Sequence, residues 1–211
     1  IENKSLDISD AVKFIVEKKR DKFDETLEIS MNLGIDPRHA DQMIRGVVSL
    51  PNGNGKAMKV AVFAKDSKAE EAKKAGADVV GAEDLAENME NGNLDYDRVI
   101  STPDLMGVVG RIGKTLGPKG LMPNPKLGTV TADIKTAVEA AKSGQVQYRA
   151  EKTGIVQAGI GKLSFGTEKL IENVNSFIET IQKSRPSGAK GTFIKKISIS
   201  STMGVGININ I

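Results

Sequence analysis

The sequence predicts a mixed α/β and α+β protein: a discontinuous antiparallel α+β domain, with a Rossmann-like three-layer α/β domain inserted into it. Three observations predict this. From residue 57 onward, apolar strands alternate with helices, the pattern of a parallel sheet covered on both faces. The two flanks instead combine alternating strands with amphipathic helices, and neither flank has enough strands to close a core alone. The breaker "PNGNGK" stands where the first style gives way to the second. The expected domains are therefore 1–53 with 146–211, and 54–145 between them.

The elements follow in order. "SLDISDAVKFIVEKKR" sets Ala11, Phe14 and Ile15 at helical spacing after Ser9 or Asp10 as caps. In "KFDETLEISMNL", Phe23, Leu27, Ile29 and Met31 alternate with polar residues, as in a half-buried strand. "GIDPRHADQ" reads as a loop, and "MIRGVVSL" as a second strand. "AMKVAVFA" is a continuous apolar strand, followed by a helix in "DSKAEEAKKAGA", a short strand in "DVVG", a helix in "AEDLAENMENG" and a strand in "DRVIST". "PDLMGVVGRIGKTLG" is expected as one helix from Pro103 to Gly117. "TADIKTAVEAAKSG" is a further helix, closed by Gly144. "QVQYRA" and "GIVQAGIGK" read as an antiparallel pair around the turn "EKTG". "TEKLIENVNSFIETIQK" carries Leu170, Val174, Phe177, Ile178 and Ile181 on one stripe, and "TFIKKISISSTMGVGINI" is a terminal strand region.

Composition narrows the function classes. Hydrophobic content of 39% and charged content of 27% suit a globular chain with a buried core. No apolar run is long enough to span a bilayer and no secretory signal opens the chain, so no membrane partner is expected. A start at Ile1 rather than Met leads us to expect residues before it. The absence of cysteine excludes disulfides and thiolate chemistry, consistent with cytoplasm. One histidine, His39, gives no His-rich metal site, and neither metal nor cofactor is expected.

Charge is unevenly spread. Residues 1–53 hold 8 basic and 10 acidic side chains, 54–145 hold 13 of each, and 146–211 hold 9 and 4, so the outer segments carry the whole net charge of +3. After Glu179 come only cations: Lys183, Arg185, Lys190, Lys195 and Lys196. A second acid-free stretch, Leu105 to Ala132, holds Arg111, Lys114, Lys119 and Lys126. Clustered cations suit nucleic-acid phosphates. They suit a solvated lysine surface equally well.

The triplet Gly113–Lys114–Thr115 looks like the end of a phosphate-cradling loop. That loop needs a glycine five residues earlier, directly after a strand, and Val108 stands there. The triplet also falls at the end of the expected helix, where carbonyls repel phosphate. A nucleotide site is excluded on spacing and context. "GPKGLMPNPKLGT" has three prolines and three glycines, a shaped loop that serves either as a rigid connection or as a basic surface for RNA.

In "SSTMGVG", the residues Ser200, Ser201, Thr202, Met203 and Gly204 offer hydroxyls, a flexible apolar side chain and backbone at a strand end. Such groups suit the shallow minor groove of A-form RNA, where ribose hydroxyls are read. An ordinary strand end has the same composition. Lys22, Thr26 and Glu28 are expected on one strand face beside it. Glu28 is wrong for a phosphate site and right for accepting base or ribose donors. The pairs Asp24/Glu25 and Glu83/Asp84 diverge by position and make no acid/base pair, so no enzyme is expected. With aromatics at 4% and no tryptophan, a stacking platform for single strands is not expected.

Three long stretches, "KFDETLEISMNLGIDPRHADQMIRGVVSLPNGNGK", "TPDLMGVVGRIGKTLGPKGLMPNPKLGTV" and "KGTFIKKISISSTMG", resemble the bacterial form of the large-subunit ribosomal protein L-one family. They do so in order, over nearly the whole chain. The resemblance implies a discontinuous RNA-binding domain with a Rossmann-like insert, preceded by a short basic segment. It implies binding to large-subunit rRNA at the mobile stalk of the ribosome, beside the exit site where deacylated tRNA leaves. It implies repression through the protein's own operon mRNA, a cytoplasmic location, and a monomer when free. By motif, the implied RNA surface is Lys22, Phe23, Thr26, Glu28, Gln157, Ser200, Thr202, Met203 and Gly204. Gly117, Lys119, Gly120 and Lys126 form a secondary contact. Val205 departs from the family, which has a proline after "TMG".

Overall fold

The computed structural model of the chain describes residues 5–19 and 22–210. It divides into two compact units, Ile1–Gly55 with Gln145–Ile211, and Lys56–Gly144.

The first unit is built on strand β1 (Thr26–Leu33). It pairs antiparallel with β7 (Ile155–Lys162) on one side and with β8 (Ile194–Ser201) on the other; β8 then pairs with β9 (Ile207–Ile209). The sheet order is β7-β1-β8-β9. Leu27, Ile29, Met31 and Leu33 are buried while the residues between them face outward, the period-2 pattern of a sheet with one covered face. The cover is α1 (Ile8–Glu17) and α7 (Thr167–Lys183), which place Val12, Ile15, Leu170, Val174 and Phe177 in the same core. Tyr148, on β6 (Gln145–Arg149), meets Phe177 edge-on at 6.0 Å.

Three readings need correction in this unit. The helix start is Asp7 rather than Ser9 or Asp10, and its side chain makes no capping bond. Val12 rather than Phe14 completes the buried stripe, since Phe14 is only partly covered. The expected hairpin of β6 and β7 does not form a ladder. The turn between them closes through Glu151 N–H to Ile155 O at 2.9 Å, but β6 pairs with β2 (Arg45–Ser49) as a separate two-stranded sheet. Ala150 N–H continues that pairing to Ile44 O at 2.8 Å.

Asn173 of α7 organises the place where the chain leaves this unit. Fully buried, it accepts from Asn52 N–H at 3.0 Å and donates Nδ2–H bonds to Gly53 O at 2.9 Å and Ile160 O at 3.0 Å. Gly55 follows with φ +71°, and a Cβ there would lie 2.7 Å from Lys162 Cγ. Only glycine combines that φ with that approach.

The second unit has a parallel sheet of order β4-β3-β5, from β3 (Val60–Phe63), β4 (Val79–Gly81) and β5 (Arg98–Ser101). All four residues of β3 are buried, because both faces are covered. Ala61, Phe63 and Val99 pack with Leu85 and Met89 of α3 (Glu83–Glu90) and Val109 of α4 (Met106–Arg111). Val60, Val62 and Ile100 pack with Ala72 of α2 (Asp66–Lys74) and Ile134, Val138 and Ala141 of α6 (Ile134–Lys142). Asp133 caps α6, accepting from Thr136 N–H at 3.2 Å. The single helix expected over 103–117 is three pieces: a 3-10 turn at Pro103–Leu105, α4, and α5 (Gly113–Leu116), broken at Ile112. Gly107, Gly110 and Gly113 weaken helical propensity through that stretch, and burial of Ile112 decides its direction.

Carboxylates pin both flanks of β3. Asp78 accepts from Val60 N–H at 2.8 Å and Asp97 from Lys59 N–H at 3.0 Å, with Lys142 and Lys56 as cationic partners. Asp97 is held below its ordinary value of 3.8 first by the hydrogen bond from Lys56; Asp78 is held below it first by the Val60 amide. A depressed carboxylate pKa contributes stability above the unfolded value, and the contribution is lost as pH falls through the folded value. Thermal unfolding followed from pH 7 to pH 2 should therefore show the loss beginning below about pH 4, with a shallower acid dependence in Asp78→Asn. Asn173→Ala, which strands three backbone partners, should cost about 2–3 kcal/mol in urea denaturation.

Candidate nucleic-acid interface

Pairing of β1 with both neighbours lays polar residues in rows across the uncovered face. Glu28 lies opposite Gly159 of β7 and Ser200 of β8; Ser30 lies opposite Gln157 and Ser198; Asn32 lies opposite Ile155 and Lys196. Ser198 Oγ donates to Asn208 Oδ1 at 3.0 Å and carries the second row into β9. Glu28, Ser30, Gln157, Gly159 and Ser200 line a shallow depression of about 410 Å³.

At the sheet's end the turn after β8 is joined to the residues before β1. Thr202 Oγ1 accepts from Thr26 N–H at 3.1 Å and its hydroxyl reaches Thr26 O at 3.4 Å, extending the ladder by one side chain. Met203 N–H donates to a carboxylate oxygen of Glu25 at 3.2 Å, and Gly204 N–H to Ser201 O at 3.1 Å. A Cβ at Gly204 would stand 2.3 Å from Ser201 Oγ, so any other residue there displaces that hydroxyl. Lys162 Nζ bonds Thr26 Oγ1 at 3.0 Å and Asp24 O at 3.1 Å. Met203 and Val205 project, 56% and 54% exposed, and Phe23 is 47% exposed.

The geometry thus brings together Thr26, Glu28, Gln157, Ser200, Thr202, Met203 and Gly204 on one sheet face and its adjoining turn. Lys22 and Phe23 precede the strand in a turn, so the expectation that Lys22 shares the strand face with Thr26 and Glu28 is corrected. Thr202 is not a free donor; its hydroxyl is engaged with Thr26. Two features escaped sequence reasoning. Ser30 and Ser198 were readable from the alternation. Buried Glu25 shares the parity of Leu27 and Ile29, and extending the alternation two residues before the strand would have marked it as the carboxylate that turns inward.

A second surface feature of this unit is a groove of about 790 Å³ lined by Pro37, Arg38, Met43, Arg149, Ala150, Glu151 and Lys152. Arg45 stands directly opposite Arg149 on the β2–β6 ladder. Like charges placed so repel, and an anion between them relieves the repulsion.

In the second unit, Gly117, Lys119, Gly120 and Lys126 are exposed on a loop shaped by Asn124, whose Oδ1 accepts from Lys126 N–H at 2.9 Å and whose N–H reaches Thr129 Oγ1 at 2.8 Å. The Gly113–Lys114–Thr115 triplet opens α5 rather than ending a continuous helix, which corrects its expected context. Of its amides, Thr115 N–H is engaged with Ile112 O at 2.9 Å, the oxygen that Leu116 N–H also reaches at 3.0 Å. Asp84 accepts from Ala82 N–H at 2.8 Å, a bond that leads the causes lowering its pKa; Asp24 accepts from Ser164 Oγ at 2.8 Å. His39 lies beside Asp36 on the surface. Among the described residues no group of three or more His, Cys, Asp or Glu is arranged to hold a metal ion, and no helix is long and apolar enough to cross a membrane.

Residues 13–205 match the model of the Ribosomal protein L1p/L10e family, a span that takes in every strand of the first unit except β9, the whole of the second unit and the Thr202–Gly204 turn. The chain belongs to this family of large-subunit ribosomal proteins, whose members bind rRNA.

Proposed function

We propose that the polar face of the β7-β1-β8-β9 sheet, with the turn at Thr202–Gly204, is the surface that binds large-subunit rRNA. The observation that carries this reading is chemical. The depression is lined by hydroxyls, an amide and the Glu28 carboxylate, with no lysine or arginine among its lining residues. Two unit charges of like sign 4 Å apart repel by several kcal/mol at an effective dielectric of about 20. Glu28 therefore disfavours phosphate and favours ribose 2′-hydroxyls and base amino groups, the groups an A-form minor groove or structured loop presents. Met203 supplies apolar contact at the rim, and Phe23 and Lys22 approach from the preceding turn.

On this reading the protein sits on the mobile stalk near the exit site of a bacterial-type cytoplasmic ribosome and assists release of deacylated tRNA. It represses its own operon mRNA when that message presents the same RNA shape. The groove lined by Arg38, Arg149 and Lys152, three cations against the single carboxylate of Glu151, supports a second RNA partner held by its backbone, which suits tRNA. The loop Gly117–Lys126 is a secondary RNA contact. Residues 1–53 joined to 146–211 form the RNA-binding domain, 54–145 is the Rossmann-like insert, and the free protein is a monomer without catalytic activity.

Salt titrations of binding to an rRNA stalk transcript and to operator RNA test the division of labour. Met203→Asp should weaken both about tenfold to a hundredfold at every salt concentration. Lys195→Ala should cost less and mainly flatten the salt slope. If instead Lys195→Ala abolishes discrimination and Met203→Asp changes nothing, the sheet face is not the site. Arg149→Glu should leave the stalk transcript bound within about threefold and weaken deacylated tRNA retention on reconstituted subunits. Loss of stalk binding in that variant would merge the two surfaces.

A further inference from the structure

We infer that Glu25 is a positioning residue for RNA binding, acting through the Thr202–Gly204 turn; the inference rests on the interface proposed above. Residues 202–206 are all exposed, so the turn has little apolar packing to fix it. What holds it is polar. Thr202 is bonded to Thr26, Gly204 to Ser201, and the Met203 amide to Glu25. Glu25 is only 2% exposed, while the Met203 side chain is 56% exposed. The buried carboxylate thus grips the backbone of the residue whose side chain projects furthest.

Glu25 is itself held. Its carbonyl accepts from Leu163 N–H at 2.9 Å, and its neighbour Asp24 accepts from Ser164 N–H at 3.2 Å and Ser164 Oγ at 2.8 Å. The segment 24–26 is therefore clamped to 162–164 on one side and to 202–203 on the other. The Glu25 oxygen is the acceptor for the Met203 amide, and with the Thr202 and Gly204 bonds it fixes the turn's conformation. It has a second effect. An amide in an exposed turn is an anion-binding group; satisfied by Glu25, the Met203 amide is withdrawn from phosphate. Glu25 and Glu28 together bias this end of the sheet toward ribose and base donors.

Length and acceptor chemistry can be separated by substitution. Glu25→Gln keeps an acceptor oxygen at the same reach. Glu25→Asp keeps the charge but withdraws the oxygen by one methylene, and Glu25→Ala removes it. Binding of the full chain to the rRNA stalk transcript is measured where circular dichroism finds each variant fully folded, alongside amide exchange at Met203 and Ile199. Glu25→Asp and Glu25→Ala should bind about tenfold more weakly, and Glu25→Gln within about threefold of the wild type. Met203 exchange should quicken in Glu25→Asp while Ile199 is unchanged. If Glu25→Ala does not fold, Glu25→Asp carries the test. Wild-type affinity in Glu25→Asp, or unaltered Met203 exchange, overturns the inference. Met203→Asp is the control: if it too binds normally, the interface itself is misassigned; if it binds weakly while Glu25→Asp does not, only the positioning role falls.

Discussion

Strand β1 hydrogen-bonds to β7 along one edge and to β8 along the other, and these partners lie more than a hundred residues further along the chain. The ladder at Thr26–Leu33 therefore joins the N-terminal segment, the segment that follows the second unit, and the C-terminal segment. Its inward residues supply the middle of the core and its outward residues supply the middle of the polar face. A one-residue slip would exchange the two sets. Burial of Leu27, Ile29, Met31 and Leu33 against α1 and α7 forbids that slip. The same hydrophobic pattern that stabilises the unit thus fixes where Glu28 and Ser30 stand.

The polar face itself is unusual for a protein that binds a polyanion. Its centre is carboxylate and hydroxyl, and its lysines are outside the depression. Charge can attract RNA from a distance within about one Debye length, but it does not distinguish one helix from another. Discrimination needs groups whose hydrogen-bonding capacity is wrong for phosphate. In the proposed interface Glu28 at the surface has that property, and Glu25 beneath the turn occupies the Met203 amide. A buried hydrogen-bonded carboxylate is costly to leave unsatisfied, and this makes the turn less adaptable than its exposure alone would suggest.

Much of this was legible in the sequence. The period-2 alternation in "TLEISMNL" identifies both faces of β1, and the strand–helix alternation after residue 57 identifies the parallel sheet. Partner choice was less legible. "QVQYRA" and "GIVQAGIGK" around a glycine turn satisfy every local requirement of a hairpin, yet β6 takes β2 and β7 takes β1. Local propensity is indifferent to which distant edge is free. The break at Ile112 was missed because glycines at 107, 110 and 113 lower helical stability without specifying where the chain turns. Glu25 shares the parity of Leu27 and Ile29 while Glu28 does not, so the alternation that buries those apolar residues turns the two glutamates to opposite sides.

The pairing of β1 with β8 also orders events in time. On a chain made from its N-terminus, Leu27 to Leu33 emerge well before Ile194 to Ser201, and residues 56–144 can complete their own parallel sheet in the interval. Throughout it, an apolar strand face waits without its partners, which invites chaperone capture or association between nascent chains. The turn that receives Glu25 and Thr26 follows β8, with only β9 and the chain's last residues after it. A nascent chain stalled or truncated before Thr202 lacks the half of these clamps that Thr202 and Met203 supply. By this topology alone, closure of that end of the sheet is a late event in the chain's synthesis.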